Sequence, residues 1–536
     1  MVDRLQQRWG LRTDPVIFFV SAGLAVLFVV LSIAFTAEVD AVFAVVSGWI
    51  LENLGWFYIL GVTAFLVFLL WIALSRYGHV RLGARSDRPE FSNLAWFAML
   101  FAAGIGTILM FWGVAEPISH FANPPMGDVA PESAEAATQA LNFTLYHFAL
   151  HTWTIFCLPA LAFAYFAYRR RLPFRVSSIF QPLLGDRING PIGKIIDVTA
   201  VVGTIFGVGV SIGLGTMQIN SGLASLFGLP ENATSQVAII AVITGFALVS
   251  IGFGLHKGIK RLSNLNILMA VGLLIFVLVA GSTLYLTRGV IESTGNYLSS
   301  IVNLAFWNDT FAEPEWGWQG SWTVFYWAWT ITWSPFIGIF IARISKGRSI
   351  KEFVLGVLGM PAAFSVIWFS IFGLSAIDVE LERGGGIIEA VVEQGDPPGA
   401  MFAMFEHFPL TTFLSAVGIL IVVIFLTTSK DSASLVLDLL CSGRSDEVSP
   451  TRQRVFWGLI VGAVAATLLA ATGADGLAAL EQVMIVVGLP FFVFGFLMIW
   501  SLLRALRSDV RITVSEVDTL AGDEPEDEEP QAARRE

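Results

Sequence analysis

The sequence predicts an all-α integral membrane protein with twelve transmembrane helices in a five-plus-five inverted repeat. Three observations predict this fold: the composition, the number of apolar segments, and two helix interruptions at matching positions. Hydrophobic residues make up 55% and charged residues 14% of the 536 residues, and the mean hydropathy is +0.73. A chain with so little polar surface is expected to lie in a lipid bilayer.

Twelve apolar segments are long enough to cross a bilayer, which takes about 20 residues each. We place them at residues 16–35, 55–74, 93–113, 143–168, 195–227, 236–256, 264–287, 321–343, 352–375, 408–436, 455–473 and 479–503.

The distribution of basic residues predicts the orientation. Lys and Arg collect in cytoplasmic loops. If the N-terminus is cytoplasmic, all of the 31 basic residues except Arg288, Arg383 and Lys430 fall in cytoplasmic segments. One missed or invented span would move every later loop to the other side of the membrane and remove this bias of basic residues. The count of twelve spans and the cytoplasmic placement of both termini therefore support each other.

The third and eighth segments carry signals of a helix break. The third contains Gly104 and Gly106, and the eighth contains Pro335. Inverted-repeat transporters place broken helices at corresponding points of their two halves, near the bilayer midplane. The pairing predicts repeats at about 93–287 and 321–503, behind two leading helices. Close helix packing is the alternative reading of the two glycines.

The termini add little to this single domain. Residues 1–15 carry no cleavable signal pattern and are expected to be a cytoplasmic N-terminus. Residues 508–536 include the acidic run GDEPEDEE (522–529), which has too few apolar residues to fold. We therefore predict one membrane domain at 16–507 and a disordered acidic tail.

A tryptophan-rich run, FYWAWTITWSP (325–335), lies inside the eighth segment. Trp329 and Trp333 are four residues apart and share one helix face. Aromatic faces attract a quaternary ammonium, which has no hydrogen-bond donors. The run therefore predicts a site for a methylated cation. An interfacial aromatic belt is the alternative, for which Trp316, Trp318 and Trp322 are better placed.

These motifs resemble the betaine/choline/carnitine transporter family. The likeness runs over about 18–507 and includes RISKGR (343–348), AAGIG (102–106), GVAEP (113–117), RINGPIG (187–193) and TSKDS (428–432). The resemblance implies a LeuT-type fold, a homotrimer in the cell (inner) membrane, and import of trimethylammonium solutes such as glycine betaine for osmoprotection.

The resemblance also implies a substrate site, an aromatic box between the fourth and eighth spans. The family commonly has Trp at the positions of Phe148 and Thr330, and Tyr at the position of Phe156. Phe is a weaker cation host than Trp, so ectoine, proline or a sulfonium solute stays an alternative substrate. The implied site comprises Phe148, Trp153, Phe156, Trp329, Thr330, Trp333 and Ile105.

Na⁺ is the coupling ion that the resemblance implies. A sodium ion takes oxygen ligands, which unwound backbone and hydroxyl groups supply. A second ion site would use Thr204 and Phe336. It is less complete, because Val208 stands where the family has another hydroxyl group. The implied main site comprises Ala102, Ile105, Phe425, Thr428 and Ser429.

Proton coupling, as in a choline carrier, is the alternative mechanism. Ionisable side chains at membrane depth are candidates for function by default. For Lys430 and Asp431 we favour an ion-pair role, and for His147 and His151 helix packing, over a proton relay. The candidates are His147, His151, Asp197, Lys430 and Asp431.

Other protein classes find less support. The chain has no HExxH, nucleophile elbow or phosphate-binding loop, so we expect no enzyme activity. It also lacks the repeated filter segments of a channel, and nothing indicates a nucleic-acid partner. A sensor that binds the solute without transporting it would use the same box and stays an alternative.

Overall fold

The protein is described from a computed structural model. The structure describes residues 11–104, 106–127, 129–253, 256–310, 317–443, 450–472 and 476–522. Within those ranges the secondary structure is helical, apart from one isolated antiparallel bridge between Arg81 and Ser349.

Helices of seven or more residues are labelled α1 to α16 in chain order. They are α1 Pro15–Ala34, α2 Thr36–Leu74, α3 Asn93–Gly104, α4 Thr107–Ala122, α5 Ala134–Phe148, α6 Leu150–Ala164, α7 Pro191–Phe227, α8 Ala233–Phe253, α9 His256–Ala280, α10 Thr283–Phe306, α11 Phe325–Arg343, α12 Ile350–Glu382, α13 Ala400–Glu406, α14 Thr411–Ser442, α15 Thr451–Thr472 and α16 Gly476–Gly522.

Eleven helical segments of the described chain are long and apolar enough to cross a membrane. They correspond to all of the predicted spans except the third. That span is divided into α3 and α4, each too short to be counted alone. The twelve predicted spans are therefore all present as helical segments, and the exception is the one predicted to be interrupted.

The buried centre of the molecule is built around α7 and α11. Helix α11 packs against α6, α7 and α16, and α7 packs against α14 and α15. Almost every residue of α6 is buried. These helices are apolar on all sides because their neighbours, and not water, surround them.

A clasp of loop residues fixes the start of α3. Arg348 donates hydrogen bonds to Asn93 Oδ1 at 2.9 Å and to the Phe91 carbonyl at 3.0 Å. Its guanidinium carbon lies 3.9 Å from the centre of the Trp96 ring. Burial lowers the pKa of this guanidinium, while Glu352 opposes the shift. The clasp joins the α11–α12 connection to the helix that precedes the break.

The predicted interruption at Pro335 is wrong. Helix α11 runs without a break from Phe325 to Arg343, with Pro335 inside it. Proline lacks the N–H that would bond to the carbonyl one turn earlier. Neighbouring helices compensate for such a loss inside membrane proteins, and α11 is enclosed by three of them.

The C-terminal helix is longer than predicted. Helix α16 continues to Gly522, beyond the expected boundary at Arg507. Val510, Val514 and Val517 recur at the three- and four-residue spacing of one helix face. The prediction of a disordered tail beginning at 508 is therefore wrong for 508–522, and residues 523–536 lie outside the described part of the chain.

Candidate functional site

The first feature of the site is the gap between α3 and α4. Helix α3 ends at Gly104, and Gly106 is extended, with φ −144° and ψ −175°, before α4 begins at Thr107. A Cβ on Gly106 would lie 2.8 Å from the Phe425 ring. Gly106 thus allows α14 to approach the interrupted span closely. Ile105 lies outside the described residues.

A second interruption, which we did not predict, divides the fourth span at Ala149. This residue has φ −98° and ψ −118°, between the end of α5 and the start of α6. The Thr152 hydroxyl donates to the freed His147 carbonyl. The Leu150 N–H donates to the Tyr297 hydroxyl at 3.3 Å. The surrounding contacts stabilise this break, and no glycine or proline marks it in the sequence.

A cavity of ≈ 50 Å³ lies beside the two interruptions. None of its described lining residues is ionisable. Four of them are glycine or carry a hydroxyl group, and the other eight are aromatic or aliphatic. The lining residues are Gly106, Ile108, Leu109, Phe148, Thr152, Trp153, Phe156, Ser211, Trp333, Ile337, Ser365 and Phe425.

Four predicted substrate residues line this cavity: Phe148, Trp153, Phe156 and Trp333. They come from α5, α6 and α11, as the resemblance implies. Trp329 and Thr330 are buried in α11, but they are not among the described residues that line the cavity. Trp329 lies behind it, because its indole contacts Ser211, which does line the cavity.

The indoles of Trp329 and Trp333 are both held by α7. Trp329 Nε1 donates to Ser211 Oγ at 3.0 Å, and Trp333 Nε1 donates to the Gly207 carbonyl at 2.7 Å. Gly207 and Ser211 are one helical turn apart, as the two tryptophans are. A Cβ on Gly207 would lie 2.9 Å from Trp333 Cδ1. The absence of a side chain at Gly207 therefore permits this close contact.

On the opposite wall, Phe148 is packed between two other rings. It stacks on Phe369 with ring centres 4.4 Å apart and an angle of 5° between the planes. The Tyr326 ring lies 4.9 Å away on a tilted plane. Sequence reasoning missed Phe369, and also the lining residues Thr152, Ser211 and Ser365. Buried helices carry such residues throughout, so their positions gave no separate signal.

Three residues predicted for the main ion site, Phe425, Thr428 and Ser429, lie in α14. The Thr428 hydroxyl is 2.9 Å from the Ile424 carbonyl and 3.1 Å from the Phe425 carbonyl, to which it donates. Two predicted oxygen ligands, on Thr428 and Phe425, are thus adjacent. Ser429 follows in the same helix, and Ala102 lies in α3.

The two residues of the second predicted ion site are buried. The Thr204 hydroxyl donates to the Ala200 carbonyl of its own helix at 2.8 Å. The Phe336 ring packs edge-on against Trp333, with centres 5.3 Å apart. The contact of Thr204 is within α7 and that of Phe336 is within α11, so neither contact brings the two residues together.

The predicted ionisable candidates are dispersed. Asp197 accepts hydrogen bonds from the backbone and side chain of Ser177. Asp431 pairs with Arg454 at 2.9 Å, whereas Lys430 donates to Thr244 on α8. These two neighbours in sequence therefore contact different helices. The His147 ring contacts Glu116 and Thr323.

The cavity is suited to binding and not to bond cleavage. Its aromatic rings can hold a cation, and its described lining offers no general acid, general base or carboxylate. It lies where two spans are interrupted, the usual place for a carrier's binding site. The fold and the cavity define a polytopic membrane transporter.

Comparison with known proteins agrees with this class. Residues 16–511 match the family model described as BCCT, betaine/carnitine/choline family transporter. The chain belongs to this family. Its fold is the five-plus-five arrangement predicted from the sequence, and the protein is a transporter and not an enzyme.

Similar curated proteins carry related names. The chain is 49% identical over 500 residues to the ectoine/glycine betaine/proline transporter of Corynebacterium glutamicum, covering 93% of this chain and 81% of the relative. It is 40% identical to a glycine betaine transporter of Acinetobacter baylyi, covering 92% and 74%. It is 39% identical to the high-affinity choline transport protein of Escherichia coli K12, covering 95% and 74%.

Proposed function

We propose that this protein imports a zwitterionic quaternary-ammonium compatible solute, of which glycine betaine is the type, by symport with sodium for osmoprotection. The observation that carries the proposal is the aromatic cavity beside the interrupted third span. Membership of the betaine/carnitine/choline family supports import of a compatible solute.

The two ends of a zwitterion match two parts of the cavity. The trimethylammonium group would contact the rings of Trp333, Trp153 and Phe156, which need no directional partner. The carboxylate would lie at the first turn of α4, where Gly106, Ile108 and Leu109 line the cavity. The N-terminus of a helix favours negative charge.

Sodium is the coupling ion that we propose. The adjacent oxygens of Thr428 and Phe425 supply the uncharged ligands that sodium accepts. Helix α7 has no Lys or Arg between Ile195 and Phe227 that could replace the ion. The ligand set would be completed by Ser429 and by the carbonyls of Ala102 and Ile105.

We also propose that both termini are cytoplasmic and that the protein forms a homotrimer in the cell (inner) membrane. The distribution of basic residues supports the orientation. Helix α10 carries an exposed apolar stripe, although it is not among the candidate membrane spans of the described chain. A neighbouring protomer would cover that stripe, which supports self-association.

Ectoine or proline is a second candidate substrate. The relative at 49% identity is named for ectoine, glycine betaine and proline. The positions of Phe148 and Phe156 also carry weaker cation hosts than the family commonly has there. Choline, after which the Escherichia coli relative is named, lacks a carboxylate for the α4 N-terminus.

Uptake of labelled glycine betaine into proteoliposomes tests the proposal, with an inward sodium gradient and with choline, ectoine and proline as competitors. We expect accumulation that disappears when potassium replaces sodium. The control is the same protein in vesicles without a gradient.

Accumulation driven by protons and not by sodium would contradict the sodium site and favour a proton-coupled choline-type carrier. Saturable binding without accumulation under any gradient would contradict transport and favour a sensor. Stronger competition by ectoine or proline than by choline would favour the second candidate substrate.

A further inference from the structure

A carboxylate and two imidazoles form a wholly buried cluster beyond the cavity. We call Glu116, His120 and His147 the Glu116 cluster. Glu116 Oε1 lies 2.6 Å from His147 Nδ1 and 3.3 Å from His120 Nε2. Each of the three residues is at most 1% exposed. Nothing in the proposed sodium or substrate site uses them.

Fixed positive charge is missing around this carboxylate. The electrostatic partners of the cluster within the described chain include no Lys or Arg. The titratable groups that face it, directly or through one another, are His120 on α4, Tyr146 and His147 on α5, His151 on α6, Tyr297 on α10, Tyr326 on α11 and Glu481 on α16.

The described contacts of α4 with α12, α13 and α7 are made by uncharged side chains. The segment Glu389–Glu393, which carries two carboxylates, and α14 also pack against α4. Helix α12 contacts Gly113 through Trp368, and α13 contacts it through Met401. Gln218 of α7 donates to the Met110 carbonyl at 2.7 Å. An unpaired buried carboxylate costs many kcal/mol. The cluster must therefore hold one proton, shared between Glu116 and an imidazole, to be electrically neutral.

The geometry favours a proton over a metal ion as the shared ligand. Two tetrahedral ligands of one zinc ion stand about 3.3 Å apart, given metal–ligand distances near 2.0 Å. The 2.6 Å separation of Glu116 Oε1 and His147 Nδ1 is too short for that and fits a charge-assisted hydrogen bond. His147 Nε2 is occupied by the Thr323 hydroxyl at 2.9 Å.

The cluster joins α4 and α5, which line the cavity, to the turn that leads into α11. Glu116 and His120 belong to α4, His147 to the last turn of α5, and Thr323 to the turn Gly320–Val324 that leads into α11. Glu116 lies ten residues after Gly106, about 15 Å along the helix. The cluster is therefore on one side of the cavity, towards the end of α4 at Ala122.

Aromatic rings cover the cluster on that side. The His120 ring lies 4.5 Å from Trp322 and 5.2 Å from Trp318. Phe143 packs against Trp318 at 4.8 Å. Water can reach Glu116 from this side only if α4, α5 and the start of α11 separate. Once hydrated, the carboxylate can lose its proton at little cost.

We propose that the Glu116 cluster is a proton-binding site that takes up a proton when the pathway closes over the substrate and releases it to the same side on reopening. This inference rests on the proposed function, because it requires alternation between open and closed states. The proton comes from water on the Ala122 side, which is the outside in the proposed orientation. It adds pH sensitivity without net proton transport.

Linkage gives the measurable consequence. Substrate and proton both favour the closed state, so each must strengthen the binding of the other by the same factor. Lower pH therefore tightens substrate binding. For a single linked proton the dissociation constant changes by at most about tenfold per pH unit.

The test measures proton uptake when glycine betaine is added to the purified full-length protein in weak buffer at saturating sodium, with a pH-indicator dye. We expect the wild-type protein to take up as much as one proton per bound substrate and to bind more tightly at pH 6 than at pH 8. Glu116→Gln should take up none and bind equally at both pH values. The matched control, Glu135→Gln on exposed α5 surface, should behave like wild type.

The failures of the two proposals are distinguishable. Normal betaine binding by the wild-type protein without proton uptake between pH 5 and 8 would overturn the proton site and leave the proposed function intact. Uptake that persists in Glu116→Gln would overturn its assignment to Glu116. Inhibition by micromolar zinc that Glu116→Gln abolishes would replace the proton with a metal ion. Absence of binding of any tested solute would overturn the proposed function and this inference with it.

Discussion

Trp333 has two roles at the cavity: its ring lines the wall, and its N–H bonds to the Gly207 carbonyl. We predict that Trp333→Ala weakens substrate binding by about 1–2 kcal/mol or more, because a desolvated cation–π contact is lost. Isothermal titration with glycine betaine measures the change.

The control for this variant is Trp56→Ala. Trp56 is 48% exposed on α2, and its N–H bonds to a carbonyl of its own helix. Its removal should leave the affinity unchanged. Equal affinities of Trp333→Ala and the wild-type protein would show that the cavity is not the substrate site.

Gly207 is predicted to be intolerant of even a methyl group. In Gly207→Ala the new Cβ would meet Thr332 Oγ1 at 2.5 Å and Trp333 Cδ1 at 2.9 Å. Overpacking of this kind costs about 1–3 kcal/mol, and it would displace the Trp333 ring. We expect a lower midpoint of thermal unfolding and weaker substrate binding.

Gly48→Ala is the matched control, since a Cβ at Gly48 would have no atom within 4 Å. Alanine in that helix should be neutral or stabilising by about 0.5–1 kcal/mol. If the two variants behave alike, the close approach of α7 and α11 has no energetic consequence.

At the scale of elements, a helix break could be predicted only where glycine marks it. The interruption next to Gly106 was predictable from local sequence. The interruption at Ala149 was not, because its freed backbone groups are satisfied by Thr152 and Tyr297, and Tyr297 is distant in sequence. Pro335 led us to predict a break that is absent, because packing around α11 compensates for the missing hydrogen bond.

The clasp at Arg348 leads to a prediction about α3. In Arg348→Lys the planar fork that reaches both Asn93 and Phe91 is lost, and the contact with Trp96 weakens. We expect a loss of about 1.5–3 kcal/mol in unfolding free energy, the range for hydrogen bonds to charged groups. Thermal unfolding in detergent, together with initial uptake rates, measures it.

The control is Arg288→Lys, which makes the same substitution at an exposed arginine on α10. It should leave stability and uptake unchanged. An Arg348→Lys protein as stable and active as this control would mean that the clasp does not position the interrupted span.

For the whole molecule, the sequence predicted the transmembrane segments well, because the length of apolar segments is a property that local packing does not alter. The end of the last helix was misjudged, because the acidic residues after 521 obscured the helical spacing of Val510, Val514 and Val517. Four residues predicted for the substrate site line the cavity. Trp329 instead faces Ser211 and Phe325, an orientation that only packing decides.

Helix α10 carries the prediction about assembly. One stripe of it is buried, a second is polar, and a third is apolar and exposed, with Ile291 72% and Leu298 56% exposed. If this stripe joins protomers, Ile291→Glu with Leu298→Glu should convert a trimer into monomers of 58.3 kDa. Light scattering in detergent, corrected for the micelle, measures the mass.

Ser299→Glu, on the exposed polar stripe of the same helix, is the control and should keep the mass of the wild-type protein. A trimer that survives the double substitution would place the interface elsewhere, and a monomeric wild-type protein would contradict the homotrimer itself.

The two indoles bonded to α7 also bear on how the family can diversify. Replacing Trp329 or Trp333 would remove a buried N–H donor from Ser211 Oγ or from the Gly207 carbonyl, a loss that persists whatever solute is carried. Phe148 and Phe156 have no polar atoms, so exchange there reshapes the cavity without that penalty. Natural variation in substrate range is therefore expected to arise on the α5–α6 wall, while the wall formed by α11 stays constant through evolution.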